Sequence, residues 1–279
     1  MDKKELQNPA LYTNRELSWL LFNKRVLSEA RDKQLLLFER LKFLSITASN
    51  LDEFFMVRIG SLVDMIHAEY TKKDIAGMSA KEQLDALMEE THKFAALQYS
   101  TYNRMLLPQL RANGLNFVEH HEQLTERQAQ YVDEYFEENV YPVLTPMAVD
   151  SSRPFPLIRN KTLNIGALVA KKGEKDTEIE FATVQVPSVL PRVVRIPAAK
   201  EGDTEVAVLL LEEIIERNIS KLFLNYNVLC AHPFRITRNA DLAIDEDEAE
   251  DLLLEIEKHH NLHCLQFDPL LQNHSALQR

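Results

Sequence analysis

The chain has 279 residues, of which 45% are hydrophobic and 27% charged, a composition typical of a globular protein with one or two domains. It has no apolar run of about 18 residues and no charged-then-apolar leader, so the sequence predicts neither a membrane span nor a secretory signal. Two cysteines are too few for a disulfide framework, and these features together predict a cytoplasmic protein.

The net charge of −11 is unevenly distributed along the chain. Residues 1–60 contain ten Lys and Arg against eight Asp and Glu, whereas residues 200–258 contain six against fifteen. Because the acidic segment would repel a polyanion, we expect no nucleic-acid partner. A polyanionic substrate could approach the chain only near residues 1–60.

Four helices with short connections are predicted before residue 110, which indicates an antiparallel helical domain. They are the helix after Thr13, residues 35–47, residues 50–73 and the long helix after Ser79. Capping boxes are predicted at Thr13–Glu16 and at Ser79–Glu82. Pro108 is expected to kink the last helix, and Gly114 to end it.

The third helix is predicted to begin within the stretch Ser49–Arg58. Asn50 is a preferred N-cap residue, and Glu53 three places later would complete a capping box. The carboxamide of Asn50 also offers a donor and an acceptor to the edge of a heterocyclic base. The residues alone leave both roles open, helix cap and ligand contact.

The first helix, after Thr13, carries the only tryptophan, Trp19, which is predicted to anchor the core rather than to stack on a ligand. Its basic residues are predicted to form a solvated face, with a phosphate contact as the alternative. They are Arg15, Lys24, Arg25 and Arg31.

After Gly114 the pattern changes to short alternating segments. Strands are predicted at residues 115–118, 163–170, 179–186, 193–196, 206–210, 228–230 and 234–237. Helices are predicted at residues 125–139, 212–223 and 245–258. Because helices do not alternate strictly with strands, the fold class predicted for the whole chain is α+β, with a mostly antiparallel sheet in this second domain.

Composition and residue spacing bear on two kinds of site, a nucleotide site and a metal site. The six glycines form no phosphate-cradling loop, so a nucleotide site would have to be built from helix ends and side chains. His259, His260, His263 and Cys264 form a metal-like cluster. It lacks a matching second ligand pair, so a solvated tail is favoured and no metal site is predicted there.

Several segments together resemble the long polyphosphate kinases, which are phosphorylated on histidine. The segments are residues 14–20, 22–27, 49–58, 141–146, 154–156 and 233–238. The resemblance covers the amino-terminal and head domains of that family and ends near Lys258. It implies a helical domain over residues 1–110 that forms part of an ATP pocket, a head domain over residues 111–258 that dimerises, and a divergent tail over residues 259–279.

The resemblance also implies an activity, the reversible transfer of the γ-phosphate of ATP to polyphosphate by a homodimeric enzyme. The nucleotide-contacting asparagine of the family falls on Asn50. Mg²⁺ is expected for the full-length family, but its ligands and the nucleophilic histidine, in a His-x-Lys signature, are not in this sequence. We therefore expect no catalytic residue here and no activity of this chain alone. A non-catalytic interaction module that retains the fold is the alternative.

Overall fold

A computed structural model describes residues 5–149, 158–173, 179–200 and 202–239. The described residues form two compact units, residues 5–109 with 237–239, and residues 110–236. The segment 154–156, the helix predicted at residues 245–258 and the tail with His259, His260, His263 and Cys264 lie outside the described residues.

The first unit is helical, as the sequence predicts. Its helices are α1 (Arg15–Arg31), α2 (Leu37–Phe54), α3 (Gly60–His67) and α4 (Ala80–Thr101). The short helix α5 (Leu107–Ala112) begins in this unit and ends in the second. Apolar residues at helical spacing meet in one core, which includes Leu20, Leu27, Leu51, Phe54, Leu62, Leu87 and Phe94. Burial of this shared face, rather than helix propensity alone, stabilises the unit.

The predicted helix start at Asn50 is wrong. Asn50 lies inside α2, which leads through a π-helical turn at Phe55–Ile59 directly into α3. No Pro or Gly interrupts residues 37–54, so nothing in the backbone stops the helix, and Asn50 makes a tertiary hydrogen bond instead of a cap.

Two other predicted caps have different outcomes. The capping box of Ser79 and Glu82 is present at the start of α4, as predicted. At the start of α1 the cap is Asn14 rather than Thr13, because the Asn14 side chain accepts hydrogen bonds from the backbone N–H groups of Glu16 and Leu17. The Asn14 amide also donates to Asp74 at 2.7 Å and thereby ties the helix start to the loop before α4.

The irregularity predicted at Pro108 is a π-helical turn at Tyr102–Leu106 between α4 and α5. Pro108 cannot donate a hydrogen bond to the carbonyl four residues earlier, and its ring crowds that carbonyl, so the helix widens just before it. Gly114 follows α5 with a φ of 79°, a conformation that favours glycine, and ends the helix as predicted.

The second unit contains two sheets. Its strands are β1 (Leu115–Val118), β2 (Pro146–Val149), β3 (Leu163–Lys171), β4 (Ile179–Gln185), β5 (Val193–Ile196), β6 (Val206–Leu210) and β7 (Tyr226–Arg235). Four of them form an antiparallel sheet in the order β2-β4-β3-β7. The other three are ordered β1-β6-β5, with β1 parallel and β5 antiparallel to β6. The predicted α+β class with mostly antiparallel pairing is confirmed.

Two strands differ from the sequence-based expectation. The strands predicted at residues 228–230 and 234–237 are one strand, β7, and Pro233 lies within it opposite Ile165. Proline is tolerated there because β7 is an edge strand, so its missing N–H can face away from the sheet. Strand β2 lies in the proline-punctuated segment, where no strand is predicted.

Helices α6 (Glu126–Tyr135) and α7 (Leu211–Asn218) pack with the sheets. Thr125 and Gln128 form the predicted capping box of α6, and a π-helical turn at Phe136–Val140 follows it. The core of the unit includes Val132, Phe136, Ile165, Val184, Leu209, Ile214 and Ile215. Arg217 on α7 binds Asp133 on α6 through two hydrogen bonds of 2.8 and 2.9 Å, and this pairing holds the pKa of Asp133 below its usual range.

One acid of α7 is poorly matched to its surroundings. Burial, together with the charges of Glu213 and Glu122, raises the pKa of Glu216 to about 7. The described contact of its carboxylate is with His232, whose largely exposed ring places Nδ1 3.6 Å from Oε1 of Glu216. The folded chain therefore holds a proton on Glu216 that the unfolded chain loses near pH ~4.3.

Replacing Glu216 by glutamine should therefore change the pH dependence of stability. The wild-type free energy of unfolding should fall as the pH rises from about 4.5 to about 7, because only the unfolded carboxyl is ionised over that range. Glu216→Gln should remove this slope and be more stable by roughly 1–3 kcal/mol at pH 8. Urea denaturation at several pH values measures the difference. Glu138→Gln, at an exposed acid, is the control, and equal slopes in all three proteins would contradict the prediction.

Candidate functional site

Asn50, the predicted nucleotide-contacting residue, lies in α2 with its side chain half-buried. Its Nδ2 donates a hydrogen bond to Oδ1 of Asn23 on α1, at 3.1 Å. Among the described residues this bond uses one of the two amide hydrogens, and no other hydrogen bond is described for the Asn50 side chain. Its carbonyl oxygen and second amide hydrogen can therefore serve a ligand.

Asn23 is fully buried and fixes the orientation of Asn50. It sits between Leu20 and Leu27 on the buried face of α1, so it is a polar residue within an apolar stripe. While its Oδ1 accepts from Asn50, its Nδ2 donates to the backbone carbonyl of Thr47 at 3.1 Å. The sequence reasoning missed this residue, although its place in the stripe was a usable signal.

A third helix joins the group through Thr47 and Gln98. The Nε2 of Gln98 on α4 donates to Oγ1 of Thr47 at 2.9 Å, and that hydroxyl donates to the carbonyl of Leu44 at 2.7 Å. We refer to Asn23, Thr47, Asn50 and Gln98 as the amide cluster. Because its members bind one another across α1, α2 and α4, the Asn50 side chain is held rather than left to rotate.

Aromatic packing supports the same helices. The ring of Trp19 on α1 stacks on Phe54 on α2, with centroids 4.4 Å apart and an angle of 12° between the planes. Phe54 is 2% exposed, and Trp19 packs against the core, so Trp19 is placed as the predicted anchor. Leu51 is buried beside them. These contacts fix α2 behind Asn50.

The basic residues of α1 have mixed surroundings. Arg15 binds the buried carboxylate of Glu16 through Nε at 2.8 Å, and Nε of Arg58 lies 4.0 Å from the same carboxylate. Arg31 donates to Thr101 Oγ1 at 2.9 Å. Lys24 and Arg25, which follow Asn23 in sequence, are exposed. The phosphate alternative therefore concerns Lys24 and Arg25 most directly, because no ion pair holds either of them among the described residues.

Comparison with known proteins defines the class. The chain matches the crystal structure of polyphosphate kinase from Porphyromonas gingivalis with a TM-score of 0.73 and 29% identity, over 92% of this chain and 38% of that one. It is also 48% identical to a polyphosphate kinase of Halalkalibacterium halodurans over 91% of this chain, and 48% identical to one of Lactiplantibacillus plantarum over 88%. The fold and these relatives therefore place the protein in the class of α+β proteins that are related to phosphotransferases.

Two family models identify the family. The model of the polyphosphate kinase N-terminal domain matches residues 12–118, and that of the polyphosphate kinase middle domain matches residues 127–261. The chain belongs to the polyphosphate kinase family and corresponds to its amino-terminal portion. It spans about a third of the length of the curated relatives it matches, 36% and 33% for the two named above. Among the described residues, no helix combines the length and apolar character needed to cross a membrane.

Proposed function

We propose that this chain supplies the base-contacting part of the ATP site of a polyphosphate kinase. In this proposal the enzyme transfers the γ-phosphate of ATP to polyphosphate reversibly, and Asn50 binds the adenine edge. The observation that carries the proposal is the half-buried carboxamide of Asn50, which Asn23 holds through one amide hydrogen. A fixed carboxamide with a donor and an acceptor that no described residue uses matches the paired acceptor and donor of adenine.

Each part of the chain has its own role in this proposal. Residues 1–110 would form part of the ATP pocket, residues 111–258 a dimer surface, and residues 259–279 a divergent tail. The described residues contain no glycine-rich phosphate loop, so the phosphates and Mg²⁺ would be held by groups of the full-length enzyme outside this chain. The two family models, which match residues 12–118 and 127–261, support two domains in this portion of the enzyme. We place the enzyme in the cytoplasm.

Replacing Asn50 by alanine tests the base contact. One hydrogen bond to a neutral base contributes roughly 0.5–1.5 kcal/mol. In a full-length relative carrying the equivalent change, KM for ATP should therefore rise about threefold to tenfold. In the 279-residue chain, calorimetric titration should show weak ATP binding that Asn50→Ala weakens further. In the full-length relative, binding of inorganic tripolyphosphate, which has no base, should be unchanged by the same substitution.

The control must separate binding from stability, because Asn50→Ala also removes the donor that serves the buried Asn23 oxygen. Gln98→Ala removes a different hydrogen bond of the amide cluster and leaves Asn50 in place. It should lower thermal stability while KM for ATP stays the same. Asn50→Asp is a poor control, since a carboxylate there would face Oδ1 of Asn23, and both are acceptors. If Asn50→Ala and Gln98→Ala have the same effect on KM, Asn50 only holds helices together.

A further inference from the structure

Imidazole and carboxylate side chains meet in the second unit, where the 3₁₀ turn His121–Gln123 faces the start of α7. His120, Glu122 and Glu213 each place one potential ligand atom so that the three atoms lie within 4.8 Å of one another. His120 and Glu122 are exposed, whereas Glu213 is 9% exposed. The group therefore combines the buried carboxylate of Glu213 with the exposed side chains of His120 and Glu122, which are free to change rotamer.

Glu213 is held in place by the backbone. Its Oε2 accepts a hydrogen bond from the backbone N–H of His121 at 3.0 Å, across 92 positions of sequence. No hydrogen bond to its other oxygen, Oε1, is described, and Oε1 lies 3.8 Å from Nδ1 of His120. Oε1 is therefore the oxygen that Glu213 presents to His120, while Oε2 is occupied by the backbone of His121.

His121 lies between the two carboxylates. Its Nδ1 is 3.3 Å from Oε2 of Glu213, and its Nε2 is 3.5 Å from Oε1 of Glu122. Its ring is largely buried, with 18% of the side chain exposed. This placement suits a positioning residue, because a ring that contacts both carboxylates limits how far they can separate.

The donor set indicates the class of ligand. One imidazole nitrogen with two carboxylate oxygens suits a divalent transition metal such as Zn²⁺, whereas Mg²⁺ and Ca²⁺ prefer oxygen ligands alone. Zinc bonds to nitrogen and oxygen are about 2.0–2.2 Å long, so in a tetrahedral site its ligand atoms lie about 3.3–3.6 Å apart. Rotation of the exposed His120 and Glu122 side chains would bring the three atoms from within 4.8 Å to that separation.

We propose that His120, Glu122 and Glu213 bind a divalent transition-metal ion of the zinc class, with His121 orienting the two carboxylates. Solvent completes the coordination in this site. The ion links the 3₁₀ turn to α7 and so cross-links distant parts of the second unit. Because it binds the folded chain, it raises the thermal stability of that unit.

Zinc titration of the untagged, metal-stripped chain tests the site. Calorimetry should detect one site that His120→Ala and Glu122→Gln each weaken at least about tenfold, since even a lost outer-shell partner costs roughly 10–100-fold in affinity. Both side chains are exposed, so neither change should disturb folding, and unchanged circular dichroism verifies this. The zinc-dependent rise in melting temperature should disappear in both variants.

The tail offers competing ligands, so the matched control is His263→Ala combined with Cys264→Ser. This control should bind zinc as the wild type does. Cobalt substitution gives a second readout, because a thiolate-to-cobalt charge-transfer band would reveal ligation by cysteine. Binding that the tail variant abolishes, binding that survives both His120→Ala and Glu122→Gln, or no binding at all would each overturn the proposal.

Discussion

Replacing Phe54 by alanine should lower the free energy of unfolding of the helical unit by about 3–5 kcal/mol, the usual cost of removing a buried aromatic ring. Phe54 is 2% exposed and lies between two aromatic partners. It stacks on Trp19 at 4.4 Å and meets Phe55 edge-on at 6.4 Å. The change would remove both contacts and leave a cavity where α1 and α2 pack, so little of the loss can be recovered by local collapse.

Urea denaturation followed by the fluorescence of Trp19, the only tryptophan, would report on this unit directly. Phe38→Ala is the matched control, because Phe38 is on the same helix but 63% exposed. Its effect should stay within about 0.5 kcal/mol. A difference between the two variants below about 1 kcal/mol would show that the Trp19–Phe54 stack contributes little to stability.

The 279-residue chain on its own should form no phosphoenzyme and synthesise no polyphosphate. The family resemblance assigns phosphoryl transfer to a histidine in a His-x-Lys signature, and none of the nine histidines in this chain is in that context. Among the described residues, His92 contacts the carbonyl of Met88 at 2.7 Å, and His121 lies against carboxylates.

Phosphoenzyme formation is measured by incubation with γ-labelled ATP and Mg²⁺, followed by alkaline electrophoresis that preserves phosphohistidine. A full-length relative treated in parallel should become labelled, which shows that the conditions support the reaction. Stable label on any histidine of this chain would refute the expectation. Label on His259, His260 or His263 would further assign a role to the tail.

The fold was largely predictable because its signals are local. Helices in the first unit and strands in the second follow from apolar periodicity, and the boxes at Ser79 and Thr125 from capping chemistry. The wrong predictions concern element boundaries that depend on tertiary structure. Asn50 has the local signature of a cap, yet α2 continues through it, because no Pro or Gly stops the helix there. The merging of two predicted strands into β7 likewise depends on Pro233 lying at a sheet edge.

The candidate site was only partly predictable, for a related reason. The family resemblance placed Asn50 in the site, but it did not show what holds the side chain. That depends on Asn23, which is 27 positions from Asn50 in the sequence, and on Gln98, which binds Thr47 on the same helix as Asn50. These contacts form only after three helices pack. The grouping of His120 and Glu122 with Glu213 had no sequence signal either, because the spacing between them exceeds any local motif.

The pairing of β1 with β6 has a consequence for how the chain acquires its structure during synthesis. The two strands run side by side from Leu115 and Val206, so about ninety residues, including β2 to β5, must emerge before β1 can find its partner. Contacts between such distant positions form late, because closing a long loop costs entropy before any pairing offsets it. A nascent chain that stalls before residue 206 would hold folded α1–α4 helices beside an unpaired, apolar β1, a species that chaperones bind and proteases cut.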